Sequence, residues 1–184
     1  MNEKSTRITD GGRISSFIKI AVVIVTLSPL FIDVPFAESS GGKHACDYLN
    51  KDEVAKVMNK KVGDIEEQPP NPMGQSICFF DIPEDMAVRF AQLQMMRSGW
   101  TKVKGKQFEA PALFENNMSF LDNLQKVEGV GDKAYWGGSG LKLGAGLHVL
   151  YKDAYFTVQA ATGDSGKNLE KSKELAVIVL NQLK

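Results

Sequence analysis

The stretch Val127–Ala161, VEGVGDKAYWGGSGLKLGAGLHVLYKDAYFTVQAA, decides the fold. It begins with a glycine-rich turn and ends in runs where apolar and polar residues alternate. The alternating apolar residues are Leu141, Leu143, Leu147, Val149 and Tyr151, followed by Phe156, Val158 and Ala160. Alternation of this kind is typical of strands with one buried face. The stretch therefore predicts a hairpin that turns at Lys152-Asp153.

The glycines of the opening turn, Gly129 and Gly131, admit two interpretations. A glycine-rich loop can hold phosphate when a strand precedes it and a helix follows, but neither pattern flanks this turn. We therefore expect glycine here because the backbone needs a positive φ angle. We also expect Asp132 to accept hydrogen bonds from N–H groups of the same turn.

The residues before this stretch predict further strands. Ile65–Gln68 is a candidate edge strand, because prolines follow it closely. Ser76–Asp81 is short, apolar and aromatic and predicts a buried strand. Ala87–Met96 predicts another strand, with a bulge where its apolar alternation shifts. Ser98–Gln107 is polar, contains glycine and predicts a loop.

Three segments predict helices. Asn50 and Glu53 have the spacing of a capping box before a helix that ends near Lys60-Lys61. Pro111 predicts the start of a second helix, and Asp164 or Ser165 caps a third. Apolar residues at helical spacing are Leu113, Phe114, Met118, Leu121 and Leu124 in the second helix, and Leu169, Ala176, Val179, Leu180 and Leu183 in the third. Together the segments predict an α+β fold: an antiparallel sheet of about five to six strands, with helices packed on one face and one disulfide.

Composition excludes several classes of function. The 184 residues are 43% hydrophobic and 24% charged, with a formal net charge of zero. A neutral domain lacks the basic surface that binds a phosphate backbone, so we expect no nucleic-acid partner. We likewise expect contact with a membrane only through the N-terminal segment, if that segment remains uncleaved.

The N-terminal residues have the order of a secretory signal. Polar residues 1–19 precede the apolar run Ile20–Ile32, and small residues follow in VPFAESS. We predict a signal peptide over residues 1–39, a mature start between Glu38 and Gly41, and a single exported domain over 40–184. The alternative is an uncleaved anchor, since Phe17–Phe36 has about the length that spans a bilayer.

Cys46 and Cys78 are the only cysteines. An even number of cysteines in an exported chain favours a disulfide. The alternative is a redox or metal site, but there is no CxxC motif and the two histidines lie far apart in the sequence. We expect no metal site and no cofactor.

Three motifs resemble an uncharacterised family of exported bacterial domains. They are a Cys-x-x-Leu-x-x-x-Glu-Val opening at Cys46–Val54, a second cysteine before aromatics at Cys78-Phe79-Phe80, and a Gly-Val-Gly-Asp-x-Ala-Tyr-Trp motif at 129–136. The resemblance spans most of residues 45–161. It implies an α+β sandwich with an extracytoplasmic disulfide, and it implies no catalytic residues. Many domains of this family are lipoproteins, whereas residues 43–45 here lack a lipobox.

The sequence favours a non-enzymatic periplasmic or secreted domain that binds an envelope partner protein or a small ligand. An antiparallel sheet covered on one face leaves the other free for recognition. The candidate contact residues are the aromatics Trp100, Tyr135, Trp136 and Tyr151, although large aromatics are more often core residues.

Two other functions remain open. A small extracytoplasmic enzyme would need a pocket in which Asp132 or His148 has a shifted pKa. His148 lies between Leu147 and Val149 and is therefore expected on the outer face of a strand. A soft-metal carrier would use His44 with methionine thioethers such as those of Met95-Met96.

Overall fold

The computed structural model describes residues 42–83, 89–99, 102–103, 106–138 and 145–184. The predictions that concern residues 1–39, Trp100, and the alternating Leu141 and Leu143 lie outside these residues. The helical elements are a 3-10 turn Ala45–Asp47, α1 Lys51–Met58, α2 Ala110–Ser119 and α3 Ser165–Leu183. The strands are β1 Ile65–Gln68, β2 Gln75–Asp81, β3 Phe90–Arg97, β4 Lys102–Val103, β5 Lys106–Gln107, β6 Gln125–Lys126, β7 Lys133–Gly137, β8 Gly146–Tyr151 and β9 Ala154–Ala161.

Seven of these strands form one antiparallel sheet in the order β1-β2-β3-β9-β8-β7-β6. The sheet is larger than the five to six strands expected, because the two-residue strand β6 pairs with β7 at one edge. The expected loop at 98–107 is also wrong in part, since β4 and β5 form a separate two-stranded ladder. Strands of two residues are too short to produce an alternating pattern, so the sequence gives no signal for them.

Helix α1 begins at the predicted capping box. The Asn50 side chain accepts from the N–H of Glu53, and the Glu53 carboxylate accepts from the N–H of Asn50. Val54, Val57 and Met58 are buried on one face, and Asn59 ends the helix in the left-handed region with φ 52°. The reciprocal cap and the apolar stripe both come from residues within one turn of each other, which is why the sequence predicts this helix well.

The main core lies on one face of the sheet, under α1 and α3. Buried residues of β2, β3, β9 and β8 alternate onto this face, among them Phe80, Leu93, Phe156 and Leu147. Helix α3 covers them with Leu175, Ala176, Val179 and Leu180. Asp164 caps α3 as predicted, because its side chain accepts from the N–H of Gly166.

Helix α2 packs on the opposite face, so the expectation that helices cover one face only is wrong. Its Ala110 and Phe114 are fully buried against Met96, Leu150 and Tyr155. These three strand residues occupy adjacent register positions on β3, β8 and β9 and form an apolar patch at one end of that face. Helix α2 covers this apolar patch.

Strand β3 has no bulge over Phe90–Arg97. Each of these residues has a partner on β9, and Phe90–Met96 also pair in order with β2. The predicted bulge over this part of the strand is therefore wrong. The apolar alternation shifts because Phe90 stacks on Phe79 on the α2 side, with ring centroids 5.2 Å apart, while Ala91 and Leu93 enter the main core.

The predicted disulfide is present. Cys46 and Cys78 are bonded, with Cα atoms 5.0 Å apart and a sequence separation of 32. The bond ties the 3-10 turn to β2, beside a buried hydrogen bond from Ala45 N–H to Ser76 Oγ. Closing a loop of this length stabilises the fold by about 3–4 kcal/mol in the chain-entropy model. A disulfide of this kind indicates a compartment outside the cytoplasm.

The glycine turn before β7 has the predicted backbone. Gly129 and Gly131 have φ angles of 76° and 62°. Asp132 plays a different part from the one expected: its Oδ2 accepts from the N–H of Lys152, in the β8–β9 turn, at 2.7 Å. The prediction that it serves its own turn is therefore wrong, because the fold brings a second turn closer to the carboxylate.

Helix α2 ends at Ser119, which is earlier than its apolar spacing indicates. Leu121 and Leu124 lie beyond it, and Asn123 has a positive φ of 56° before β6 begins. Among the helices of the described residues, none has the length and apolar character needed to cross a bilayer.

Candidate functional site

The candidate site lies on the face of the sheet that carries α2. One register row crosses all seven strands on this face, and we call it the polar row. Its members, from β1 to β6, are Gln68, Ile77, Gln94, Thr157, His148, Tyr135 and Lys126. The five inner members are half-buried and the two at the sheet edges are exposed. The inner members of the row are thus partly accessible to solvent, on the kind of face that an antiparallel sheet can leave uncovered.

His148 is the centre of a small hydrogen-bond network. Its Nδ1 lies 3.0 Å from Tyr155 Oη and 3.1 Å from Thr157 Oγ1. Tyr155 Oη also accepts from Asn117 Nδ2 of α2 at 3.2 Å. The network therefore joins the polar row to α2, and Phe114 packs edge-on against the Tyr155 ring with centroids 5.4 Å apart.

Burial lowers the pKa of His148 below its ordinary value of 6.5, because a charged imidazole loses solvation there; a hydrogen bond to the Gly137 backbone opposes this shift. The imidazole is consequently neutral at pH 7. A neutral ring has one donor and one acceptor nitrogen. The residue can therefore hydrogen-bond to a ligand or fix its hydroxyl neighbours without adding charge to the face.

Glutamines extend this polar surface. Gln92, Gln94 and Gln159 are half-buried on the same face. Their amide groups form no side-chain hydrogen bond with the other residues that the structure describes. Gly146 allows Thr157 and Gln159 to lie close to β8, since a Cβ there would approach Thr157 Cγ2 to 2.8 Å. Each amide offers both donors and an acceptor to a molecule that contacts this face.

The four predicted aromatic residues do not all lie on this face of the sheet. Tyr135 belongs to the polar row, with its ring 6.1 Å from that of Phe114. Trp136 and Tyr151 lie on the other face, packed against the main core. The fourth candidate, Trp100, lies outside the described residues. Of the four, the structure places one beside His148.

Several polar residues on this face, inside and beside the polar row, were not predicted as site residues although the sequence carries a signal for them. Gln92 and Gln94 alternate with core residues in β3, as Thr157 and Gln159 do in β9. Polar residues at alternate positions of central strands indicate an uncovered face. His148 does lie on the face opposite the main core, as expected from its neighbours.

The residues considered for a soft metal are dispersed. Met95 enters the main core and Met96 the patch under α2, and both are buried. His44 lies instead near β1, with Nδ1 3.5 Å from Glu67 Oε1. Within the described ranges, no group of three or more His, Cys, Asp or Glu side chains is placed to hold a metal ion.

Comparisons of the chain with family models, with curated proteins and with solved structures gave no match.

Proposed function

We propose that this chain is a non-enzymatic periplasmic or secreted domain that binds a partner protein or a small ligand through the polar row. The observation that carries the proposal is the accessible line of amide, hydroxyl and imidazole groups across the central strands. Such groups recognise a partner by hydrogen bonding, and a neutral face suits a neutral or weakly charged one.

The lack of a hydrogen-bond partner for the three glutamine amides among the described residues supports binding over a purely structural role. A polar side chain that stabilises a fold is usually hydrogen-bonded within it, as Ser76 is to Ala45 and Ser172 to Ala160. The amide of Gln94 has no such bond to another described residue, and it lies between Ile77 and Thr157 in the row. This makes it available to a molecule from outside.

Export is the second part of the proposal. A signal peptide over residues 1–39 would deliver the domain over 40–184 to an oxidising compartment, where the Cys46–Cys78 bond forms and persists. The resemblance to exported bacterial domains supports the same compartment. A periplasmic or secreted location follows if the leader is cleaved.

A binding role fits the network around His148 better than catalysis does. Its Nδ1 faces two hydroxyl groups, those of Tyr155 and Thr157. A histidine that activates a hydroxyl is normally oriented by a third group, often a carboxylate. Among the described residues no carboxylate is hydrogen-bonded to His148.

Site-specific photo-crosslinking tests the proposal. A photoreactive amino acid replaces Gln94 in the row or, as a control, Val177 on the outward side of α3, which is 46% exposed. In cells that produce the protein, we expect an adduct with a specific protein or small molecule at position 94 and none at 177. Equal adducts at both positions, or none at 94 and at a second row position, 157, would refute a recognition role for this face.

A further inference from the structure

Strand β1 is an open edge of the sheet. It pairs with β2 and with no other strand of the described residues, and all four of its residues are exposed. The opposite edge, β6, has only two residues. An edge strand with unpaired backbone groups is a template for another extended chain.

The outward-facing groups of β1 can be identified from the hydrogen bonds that precede it. Asp81 N–H donates to Asp64 O at 3.0 Å, so Asp64 directs its carbonyl toward β2. Because backbone groups alternate sides along a strand, Glu66 does the same, while Ile65 and Glu67 direct their N–H and C=O groups to the open edge. The edge therefore presents two donors and two acceptors.

The negative charge of this edge favours a positively charged partner segment. Glu66 and Glu67 are adjacent, on opposite faces of β1. The side chain of Glu67 is 51% exposed although His44 lies nearby. Ile65, which is 44% exposed, adds an apolar contact at the start of the strand. A segment with lysine or arginine opposite the two glutamates would be stabilised by cross-strand charge pairs.

A second copy of the chain fits this edge poorly. Antiparallel pairing of β1 with itself about Glu66 would place two Glu66 side chains directly opposite each other. If the antiparallel pairing is centred on Glu67 instead, two Glu67 side chains lie directly opposite each other. Like charges directly opposite destabilise a strand pair, so the edge disfavours self-association.

We propose that β1 binds an extended, basic segment of a partner protein, which adds an eighth strand to the seven-stranded sheet. This inference rests on the proposed binding function only in requiring a protein partner, and it concerns the backbone edge of β1, which shares only Gln68 with the polar row. The disulfide supports this proposal because it holds β2, the strand on which β1 pairs. Cys78 of β2 is the register partner of Glu67 and is bonded to Cys46.

An NMR titration tests this proposal with the purified, 15N-labelled protein. The probe is the capped hexapeptide Thr-Thr-Lys-Lys-Val-Thr, and the control is Thr-Thr-Glu-Glu-Val-Thr. We expect saturable shifts from the basic peptide, with the amides of Ile65 and Glu67 gaining protection from hydrogen exchange. The response should weaken as salt is raised.

Two variants separate backbone pairing from charge. Glu67→Pro removes an outward N–H without breaking the ladder to β2 and should abolish binding. The double variant Glu66→Gln/Glu67→Gln keeps the backbone and should weaken binding roughly fivefold. Gln94→Ala, in the polar row, should leave peptide binding unchanged, so that failure of this proposal is distinct from failure of the row.

Any one of these peptide results would overturn the proposal: equal binding of the acidic peptide, unchanged binding to the Glu67→Pro variant, or shifts confined to residues away from β1. A concentration-dependent dimer that protects the same amides without peptide would also overturn it, because the occupant would then be a second copy.

Discussion

Asp132 and Lys152 join the turn before β7 to the turn between β8 and β9. The carboxylate Oδ2 of Asp132 accepts from the backbone N–H of Lys152 at 2.7 Å, across 20 residues of sequence. Asp132 N–H donates to Leu150 O at 2.8 Å in the same region. On the other side of the turn, Asp153 forms a bidentate ion pair with Arg97, whose closest contact is 2.6 Å. The β8–β9 turn is therefore held from both sides.

Replacing Asp132 by alanine should lower the free energy of unfolding by about 1 kcal/mol, since the hydrogen bond to an exposed N–H is replaced by water. Asp132→Asn keeps an oxygen acceptor and should lose less. Urea denaturation measures both values. Asp122→Ala, an exposed aspartate before β6, is the control and should change stability little. Equal effects at positions 122 and 132 would show that the turn is not held by this carboxylate.

The two glycines of the opening turn should differ in their sensitivity to alanine. Both have positive φ angles, 76° at Gly129 and 62° at Gly131, which costs about 1–2 kcal/mol for alanine. A Cβ at Gly129 meets nothing within 4 Å, whereas one at Gly131 would lie 2.6 Å from the Leu150 carbonyl oxygen. Thermal denaturation should therefore rank Gly131→Ala as clearly less stable than Gly129→Ala. The opposite order would refute the packing of this turn against β8.

His148 should make stability depend on pH. Burial lowers its pKa below 6.5 in the folded protein, so the unfolded chain binds more protons between the two pKa values. The contribution of neutral His148 to the free energy of unfolding is fully present above about pH 6.5. It is lost as the pH falls toward the pKa of the folded protein, and it changes no further below that pKa. Urea denaturation between about pH 5 and 8 measures this slope.

The variant His148→Gln should flatten that part of the pH profile, and His44→Gln, a change in the other histidine, should retain it. A profile that His148→Gln leaves unchanged would mean that the imidazole is not desolvated in the folded state.

Local chemistry made part of this fold predictable. The cap formed by Asn50 and Glu53, the turn at Lys152-Asp153 and the positive φ of Gly131 each depend on residues adjacent in sequence. The strand β6 and the position of α2 do not. Gln125–Lys126 is too short for a periodic signal, and the apolar residues around Phe114 fit either face of a sheet equally well.

The candidate site was predictable only in part for the same reason. The position of His148 opposite the core follows from its neighbours in sequence. Its contacts with Tyr155 and Thr157 depend on the register of β8 and β9. The contact with α2 through Asn117 depends on tertiary packing. No periodicity within a single segment encodes either relationship.

We infer that the chain reaches an oxidising compartment, where Cys46 and Cys78 bond and the domain folds. Mass spectrometry of the protein from its native cells, alkylated under denaturing conditions without reduction, tests this most directly. We expect a chain that begins between Glu38 and Gly41 and carries no alkyl group on either cysteine. A chain that begins at Met1 with both cysteines alkylated would contradict it.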